Sequence, residues 1–221
     1  MRNIYLDFDG TIVDSSARLY AVYQSIMAEF RRGCLPKNEY WDLKKERQPY
    51  DVILAKTGSR DLAAEYMKKF LQKIESPEFL KCDTLLPGVY QTLSLLKKGN
   101  RLAMVTLRRS RDNLCRELKD LKIFDLFEDI FDNFIEGTDS WKIAAESVRK
   151  DPRFVPESSV IVGDTEDTIL AGRDLRIPSF VVSSGIRSES FLKKYDPGYL
   201  LRDINELPEY LSAEKIRQLQ T

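Results

Sequence analysis

The sequence predicts an α/β fold in which a parallel sheet is interrupted, after its first strand, by an all-helical insertion. Two observations carry this reading. From Leu86 onward short apolar runs alternate with longer amphipathic stretches, the texture of βαβ units and a parallel sheet. Before that, one apolar run at residues 3–8 (NIYLDF) is followed, from about Ser16 to Cys82, by segments with helical spacing only,. The fold class is therefore a Rossmann-like parallel-sheet core with an inserted α-helical cap. The boundaries expected are residues 1–15 and 83–221 for the core and 16–82 for the cap.

Each element has its own signal. "ARLYAVYQSIMAEFRR", "YDVILAKTG" and "RDLAAEYMKKFLQKIE" repeat apolar residues at helical spacing, with breaks at Gly33 to Pro36, Gly58-Ser59 and Ser76-Pro77,. "PGVYQTLSLLKKGN" has Pro87 near its start and Gly99 near its end, as a helix should,. "RLAMVTL", "SSVIVGD" and "PSFVVSSG" read as strands, and "DLFEDIFDNF" leads into another. "SRDNLCRELKDLKI", "SWKIAAESVRKD" and "EDTILAGRDLRI" are the intervening helices, and "SAEKIRQLQ" reads as a charged helix near the end of the chain.

Composition narrows the function. The 221 residues carry 35 basic and 35 acidic side chains for a net charge of zero, which is no footprint for nucleic acid or another polyanion. No apolar stretch approaches the ~20 residues of a membrane helix, and residues 1–8 lack a signal-like apolar segment, so a cytoplasmic protein is expected. Cys34, Cys82 and Cys115 are odd in number and widely spaced, and are read as buried free thiols. The chain contains no histidine, which excludes histidine triads and histidine-ligated zinc and leaves acid–base work to carboxylates, Lys, Tyr or Cys.

In open α/β sheets ligands collect beyond the carboxyl ends of the strands. Three expected strands end in polar residues: Asp7-Phe8-Asp9-Gly10-Thr11, Thr106-Leu107-Arg108, and Gly163-Asp164-Thr165-Glu166-Asp167. Extended geometry turns Asp7 and Asp9 to one side and Phe8 into the core. Two carboxylates so close are not both comfortably ionised without a cation or a shared proton. Mg²⁺ beside Asp7 and Asp164 would relieve the conflict, since it takes one or two carboxylates plus water and phosphate oxygens. Gly10 permits a sharp turn whose N–H groups could receive phosphate oxygens. Lys142 would neutralise phosphate charge and Thr106 would donate a hydroxyl. A lone D-x-D at a strand end is more often a solvated turn, and Thr106 or Lys142 alone carries little; the weight lies in their order and common location.

These residues resemble the haloacid dehalogenase-like (HAD) hydrolase superfamily, in its phosphoglycolate phosphatase and β-phosphoglucomutase-like branch. DFDGTIVDS looks like its first motif, LAMVTL its second, Lys142 its third and SSVIVGDTEDTILAGR its fourth, while LPGV at 86–89 is similar to the segment re-entering the core after the cap. The resemblance implies that Asp7 is a nucleophile forming an aspartyl-phosphate and that Asp9, its pKa raised by Asp7, is the general acid and base. It implies Mg²⁺ held by Asp7, the Asp9 carbonyl and Asp164, and phosphoryl oxygens held by the N–H groups of Phe8, Gly10 and Leu107. Two features depart from the family pattern. Thr168 stands where Asp or Asn is common, with Asp167 one place earlier, so Asp167 reaches the metal only if the loop differs locally; Glu166 is a further candidate there, beside Thr165. No proline-rich stretch follows Lys142, which leaves Arg108 or Arg109 as a substitute anion partner.

The expected activity is Mg²⁺-dependent hydrolysis of a small phosphorylated metabolite. Asp9 argues against dehalogenation, and a charged solvated face explains Lys44, Lys45 and Lys56 more simply than Schiff-base chemistry. Arg47, Gln48, Tyr50 and Lys56 are candidate substrate contacts from the cap. A phosphomutase of the same fold, or a binding or regulatory protein with little turnover, is the alternative. No nucleic-acid or membrane partner is expected, and a monomer is.

Overall fold

The computed structural model describes residues 1–132 and 137–212. Strands are β1 (Asn3–Leu6), β2 (Val13–Asp14), β3 (Thr84–Leu85), β4 (Arg101–Val105), β5 (Asp129–Phe131), β6 (Ser159–Gly163), β7 (Ser179–Val182) and β8 (Tyr199–Leu201). Six of them form one sheet in the order β5-β4-β1-β6-β7-β8, and every pairing in it is parallel. The short β8 edge carried no sequence signal. The segment expected as a helix at 212–220 lies, beyond Ser212, outside the described residues.

The central strand alternates as a doubly covered sheet requires. Ile4 and Leu6 face one layer together with Leu102, Met104, Val160 and Val162. That layer is closed by α6 (Val89–Lys97), α7 (Arg111–Asp120) and α11 (Leu207–Leu211). Tyr5 faces the other layer with Ala103, Val105 and Ile161, closed by α8 (Ser140–Arg149) and α9 (Glu166–Leu175). Because both faces are buried, the strands read as continuous apolar runs. Each fully buried Ile or Leu side chain contributes about 1.5–3 kcal/mol.

Residues 16–80 fold into α1 (Ser16–Glu29), α2 (Lys37–Lys45), α3 (Tyr50–Ala55), α4 (Ala63–Lys73) and α5 (Pro77–Leu80). Their apolar faces converge on a separate cluster that includes Val22, Tyr23, Ile26, Tyr40, Ile53 and Tyr66. The two chain crossings between this helical layer and the sheet pair with each other: β2 and β3 are antiparallel, Val13 opposite Leu85, and the Leu86 N–H donates to the Ile12 carbonyl at 3.0 Å. The short helix α10 (Glu189–Lys193) starts beside the helical layer, where the Ser188 N–H donates to the Lys45 carbonyl at 3.2 Å.

Two expectations are corrected here. None of the three cysteines is buried: Cys34 is exposed, Cys82 and Cys115 are half-buried, and all are free. Lys44 is not on a solvated face, because its Nζ lies 4.2 Å from the centre of the Tyr50 ring. Burial and the neighbouring Arg187 push its pKa down to about 8. Among the described residues no helix is long and apolar enough to cross a membrane.

Candidate active site

Register places the site. Leu6 sits between Met104 and Val162, and the Asp7 N–H continues the ladder onto the Val162 carbonyl at 2.8 Å. The residues just past this level on the three central strands are Asp7, Thr106 and Asp164, all lining one cleft of about 270 Å³. The sequence named all three. The cleft is also lined by Asp9, Leu107, Thr165, Asp167 and Thr168.

Asp164 is held by shape. Gly10, with φ +80°, and Gly185 both abut it so closely that a Cβ on either would penetrate the Asp164 carboxyl group. The Ile186 N–H donates to Oδ2 at 2.6 Å, while Oδ1 is buried without a hydrogen bond. Burial, with the nearby Asp9 charge, pushes Asp164 up to about 7 despite the Ile186 N–H and Arg187. Burial and the charges of Asp164 and Asp9 push Asp7 well above the usual carboxylate range. Neither carboxylate forms an ion pair with lysine or arginine among the described residues.

Those two carboxyls suit a hard cation. Among the described residues no three His, Cys, Asp or Glu side chains approach closely enough to cage a metal. Magnesium needs no such cage; one or two carboxylates, with water and substrate oxygens, suffice. Two repelling carboxyls, Asp7 half-buried and Asp164 buried with an unpartnered oxygen, fit it.

Asp9 behaves differently from its expectation. Its carboxylate accepts from Arg108 Nε at 2.7 Å and Nη2 at 2.9 Å and from Arg18 Nη2. Burial would push the Asp9 carboxyl up, but the two guanidiniums outweigh it and hold it at about 2. The raised pKa expected from Asp7 is thus reversed, because the sequence did not show that two buried arginines face this carboxylate. Behind them stand Asp83, 3.3 Å from Arg18 Nε and 3.2 Å from Arg108 Nη2, and Glu117, 3.4 Å from Arg108 Nη2.

Lys142 does not reach the cleft. It projects from α8 to Asp139, 2.8 Å away on an exposed face, while Ser140 and Ala144 of the same helix line the cleft. Two residues along a helix turn a side chain by about 200°, so Lys142 and Ala144 leave on opposite sides. Two expected phosphate-binding amides are also engaged: the Gly10 N–H donates to the Val13 carbonyl at 2.8 Å, and the Phe8 N–H to Asp7 Oδ1 at 2.7 Å. The Leu107 N–H has no partner among the described residues.

At the start of α9, Asp167 and Thr168 both face the cleft. Asp167 is within hydrogen-bonding reach of Ser140, and burial, reinforced by Glu166, raises its pKa. The Thr168 hydroxyl lies over Gly163, where a Cβ would collide with it. Glu166 turns elsewhere, fully buried and paired with Arg187 and Arg47, each at 2.8 Å.

The helical-layer contacts expected at the cleft are replaced by others. Arg47 is spent on Glu166, Tyr50 packs on Tyr66 and Phe70, Lys56 is exposed, and neither these nor Gln48 lines the cleft. Arg18, Ile74 and Glu75 do. Glu75 accepts from the Arg109 N–H at 3.0 Å and the Ser110 N–H at 2.8 Å. Arg18 had a readable signal, an arginine on the face of α1 that otherwise buries Leu19, Val22, Tyr23 and Ile26.

The profile of haloacid dehalogenase-like hydrolases matches residues 4–182. The chain belongs to that family. It is 31% identical over 140 residues to pyrophosphatase PpaX of Halalkalibacterium halodurans, a match spanning 58% of this chain and 60% of that protein. Against pyrophosphatase PpaX of Oceanobacillus iheyensis it is 22% identical over 209 residues, covering 94% of this chain and 95% of that one. A haloacid dehalogenase-like hydrolase of Streptococcus pneumoniae shares the fold, with TM-score 0.78 and 21% identity over 96% of this chain and 99% of that one. In this HAD-family chain the first and fourth motifs meet at the cleft, and the lysine expected from the third does not.

Proposed function

We propose that this HAD-family protein is a Mg²⁺-dependent phosphohydrolase acting on a small phosphorylated metabolite, with residues 16–82 as a cap over a core formed by the rest of the chain. The observation that supports the proposal is the pair Asp7, half-buried, and Asp164, buried, at the ends of β1 and β6, with no lysine or arginine ion-paired to either among the described residues. The relatives named as pyrophosphatases support counting phosphoric anhydrides beside phosphate esters as candidate substrates.

In the proposed reaction an Asp7 oxygen attacks phosphorus while the bond to the leaving oxygen breaks, its electron pair going to that oxygen. Water then attacks phosphorus of the aspartyl-phosphate, releasing phosphate and restoring the Asp7 carboxylate. Magnesium, held by Asp7, Asp164 and the Asp9 carbonyl, would supply positive charge to the phosphoryl oxygens. Thr106 and the Leu107 N–H, which has no partner among the described residues, would donate to those oxygens. Asp9 is the acid–base group in this reading, and it can take or give a proton only when its contacts with Arg18 and Arg108 open.

The test is phosphate release from p-nitrophenyl phosphate and a panel of phosphorylated metabolites, with and without Mg²⁺. Turnover that requires Mg²⁺ and disappears in Asp7→Asn is the expected result. A second reading, a HAD-fold regulatory protein with little turnover, is favoured by the placement of Lys142 outside the cleft. Absence of turnover over the whole panel, with no Mg²⁺-dependent thermal shift, would establish that reading instead.

A further inference from the structure

Each cation lining the cleft among the described residues is already held by carboxyl groups. The lining carries the carboxyls of Asp7, Asp9, Glu75, Asp164 and Asp167 against the guanidiniums of Arg18 and Arg108. Arg18 donates through Nη1 to the Ile74 carbonyl at 3.5 Å and through Nη2 to Asp9, with its Nε 3.3 Å from Asp83. Arg108 donates through Nε and Nη2 to Asp9 and through Nη2 to Asp83, and Glu117 lies 3.4 Å from the same nitrogen. Two guanidiniums thus face three carboxyl groups and present no net positive charge to a further anion.

Glu75 adds negative charge from the helical layer. Its carboxylate, 13% exposed as a side chain, accepts from the Arg109 N–H at 3.0 Å and the Ser110 N–H at 2.8 Å, with Arg109 Nε 3.5 Å away. An oxyanion brought beside it would lose water, gain no cation and be repelled. The same cleft offers hydrocarbon. Ile74 and Ile186 line it while packing on the apolar cluster of the helical layer, and Leu107 lines it with 37% of its surface uncovered. At about 270 Å³ the cleft lies just under the ~300–1,000 Å³ of common ligand pockets,, so the fragment beyond a phosphoryl group is small.

We propose that the cleft selects phosphate monoesters whose leaving group is small, uncharged and apolar. Leu107, Ile74 and Ile186 form the wall that receives this fragment, and Glu75 turns anionic fragments away. The inference rests on the phosphohydrolase reading and narrows it: diphosphates and phosphorylated carboxylic acids are disfavoured, because their departing fragment carries a charge that the cleft does not answer. Arg18 and Arg108 then serve Asp9 and not the substrate.

The experiment compares kcat/KM of the full chain with Mg²⁺ for methyl phosphate, n-propyl phosphate and 3-(phosphonooxy)propanoate. The first two differ by two methylenes, and the last two by a methyl group against a carboxylate. A buried methylene is worth about fourfold, so propyl should exceed methyl phosphate by about tenfold. It should exceed the carboxylate ester by about tenfold or more. Leu107→Ala, which removes part of the apolar wall, should lower kcat/KM for propyl phosphate about fivefold more than for methyl phosphate. Glu75→Gln, which removes the charge and keeps an acceptor, should narrow the gap between propyl phosphate and the carboxylate ester by about threefold or more.

A wild-type preference for propyl phosphate below about threefold in either comparison overturns the proposal, even where the variants fail to fold. Equal losses on propyl and methyl phosphate in Leu107→Ala overturn the apolar wall, and an unchanged gap in Glu75→Gln overturns the part given to Glu75. If none of the three esters is hydrolysed, the phosphohydrolase reading fails, and calorimetric titration of the same compounds decides the selectivity separately. Tenfold tighter binding of propyl phosphate than of the other two supports it, and equal affinities overturn it.

Discussion

Arg108 takes hold of Asp9 with both arms of its guanidinium, Nε 2.7 Å from Oδ2 and Nη2 2.9 Å from Oδ1. Arg18 completes the grip from α1, so a residue of the helical layer and a residue after β4 meet on one carboxylate after β1. The docking of the helical layer therefore adds, through Arg18, to the hold that Arg108 already has on the Asp9 carboxylate.

The first prediction concerns acid. The Asp9 carboxyl lies at about 2 against an ordinary 3.8. Its stabilising contribution is thus complete above about pH 4 and is lost as pH falls from there toward 2. Urea midpoints measured at pH 3 and pH 5 should differ less in Arg108→Met than in wild type. An undiminished difference would show that the grip on Asp9 is not its source.

Glu117 acts with the opposite sign. Burial is the largest cause of its rise to about 8 from 4.5, with the Asp83 and Asp9 charges adding and Arg108 opposing. The folded state therefore holds a proton that the unfolded chain has released, and this contribution declines as pH rises from about 4.5 through 8. Glu117→Gln, which copies the neutral acid, should flatten the fall in melting temperature between pH 5 and pH 8. A curve parallel to wild type would contradict a protonated Glu117.

Gly185 is tested by a single methyl group. Its Cβ in Gly185→Ala would meet Asp164, and the crowding should cost roughly 1–3 kcal/mol. Calorimetric titration with Mg²⁺ should show weaker binding as Asp164 is displaced. Retention of wild-type stability and Mg²⁺ affinity would mean that the Gly185 backbone yields.

Lys142→Ala should leave kcat/KM within about twofold of wild type. Its only described ion pair is with Asp139 on an exposed face, and such surface changes stay within about ±0.5 kcal/mol. A hundredfold loss of activity would show that Lys142 swings into the cleft during turnover.

Glu75→Ala removes the acceptor for two N–H groups at the start of α7. The helical layer should then open more often, with a larger radius of gyration by small-angle X-ray scattering. An unchanged scattering profile would place the closing force elsewhere, at the pairing of Arg47 and Arg187 with Glu166.

The sheet, its helical insertion and the residues at the strand ends were written in local patterns: apolar runs of strand length, helical spacing in 16–82, and an uncommon string at Asp7 to Thr11. In a parallel sheet the carboxyl ends of neighbouring strands share one edge, so the sequence alone brings Asp7, Thr106 and Asp164 together. Tertiary structure alone decided which charges face them. Lys142 and Ala144 lie two residues apart, yet helix rotation sends one to solvent and the other to the cleft. Arg18 and Asp83 come from the two crossings between the layers, far apart in sequence, and their meeting with Asp9 and Arg108 depends on how the helical layer docks. The pKa of Asp9 follows from that docking, since a carboxylate's ionisation is set by the charges and solvent around it and not by its neighbours along the chain.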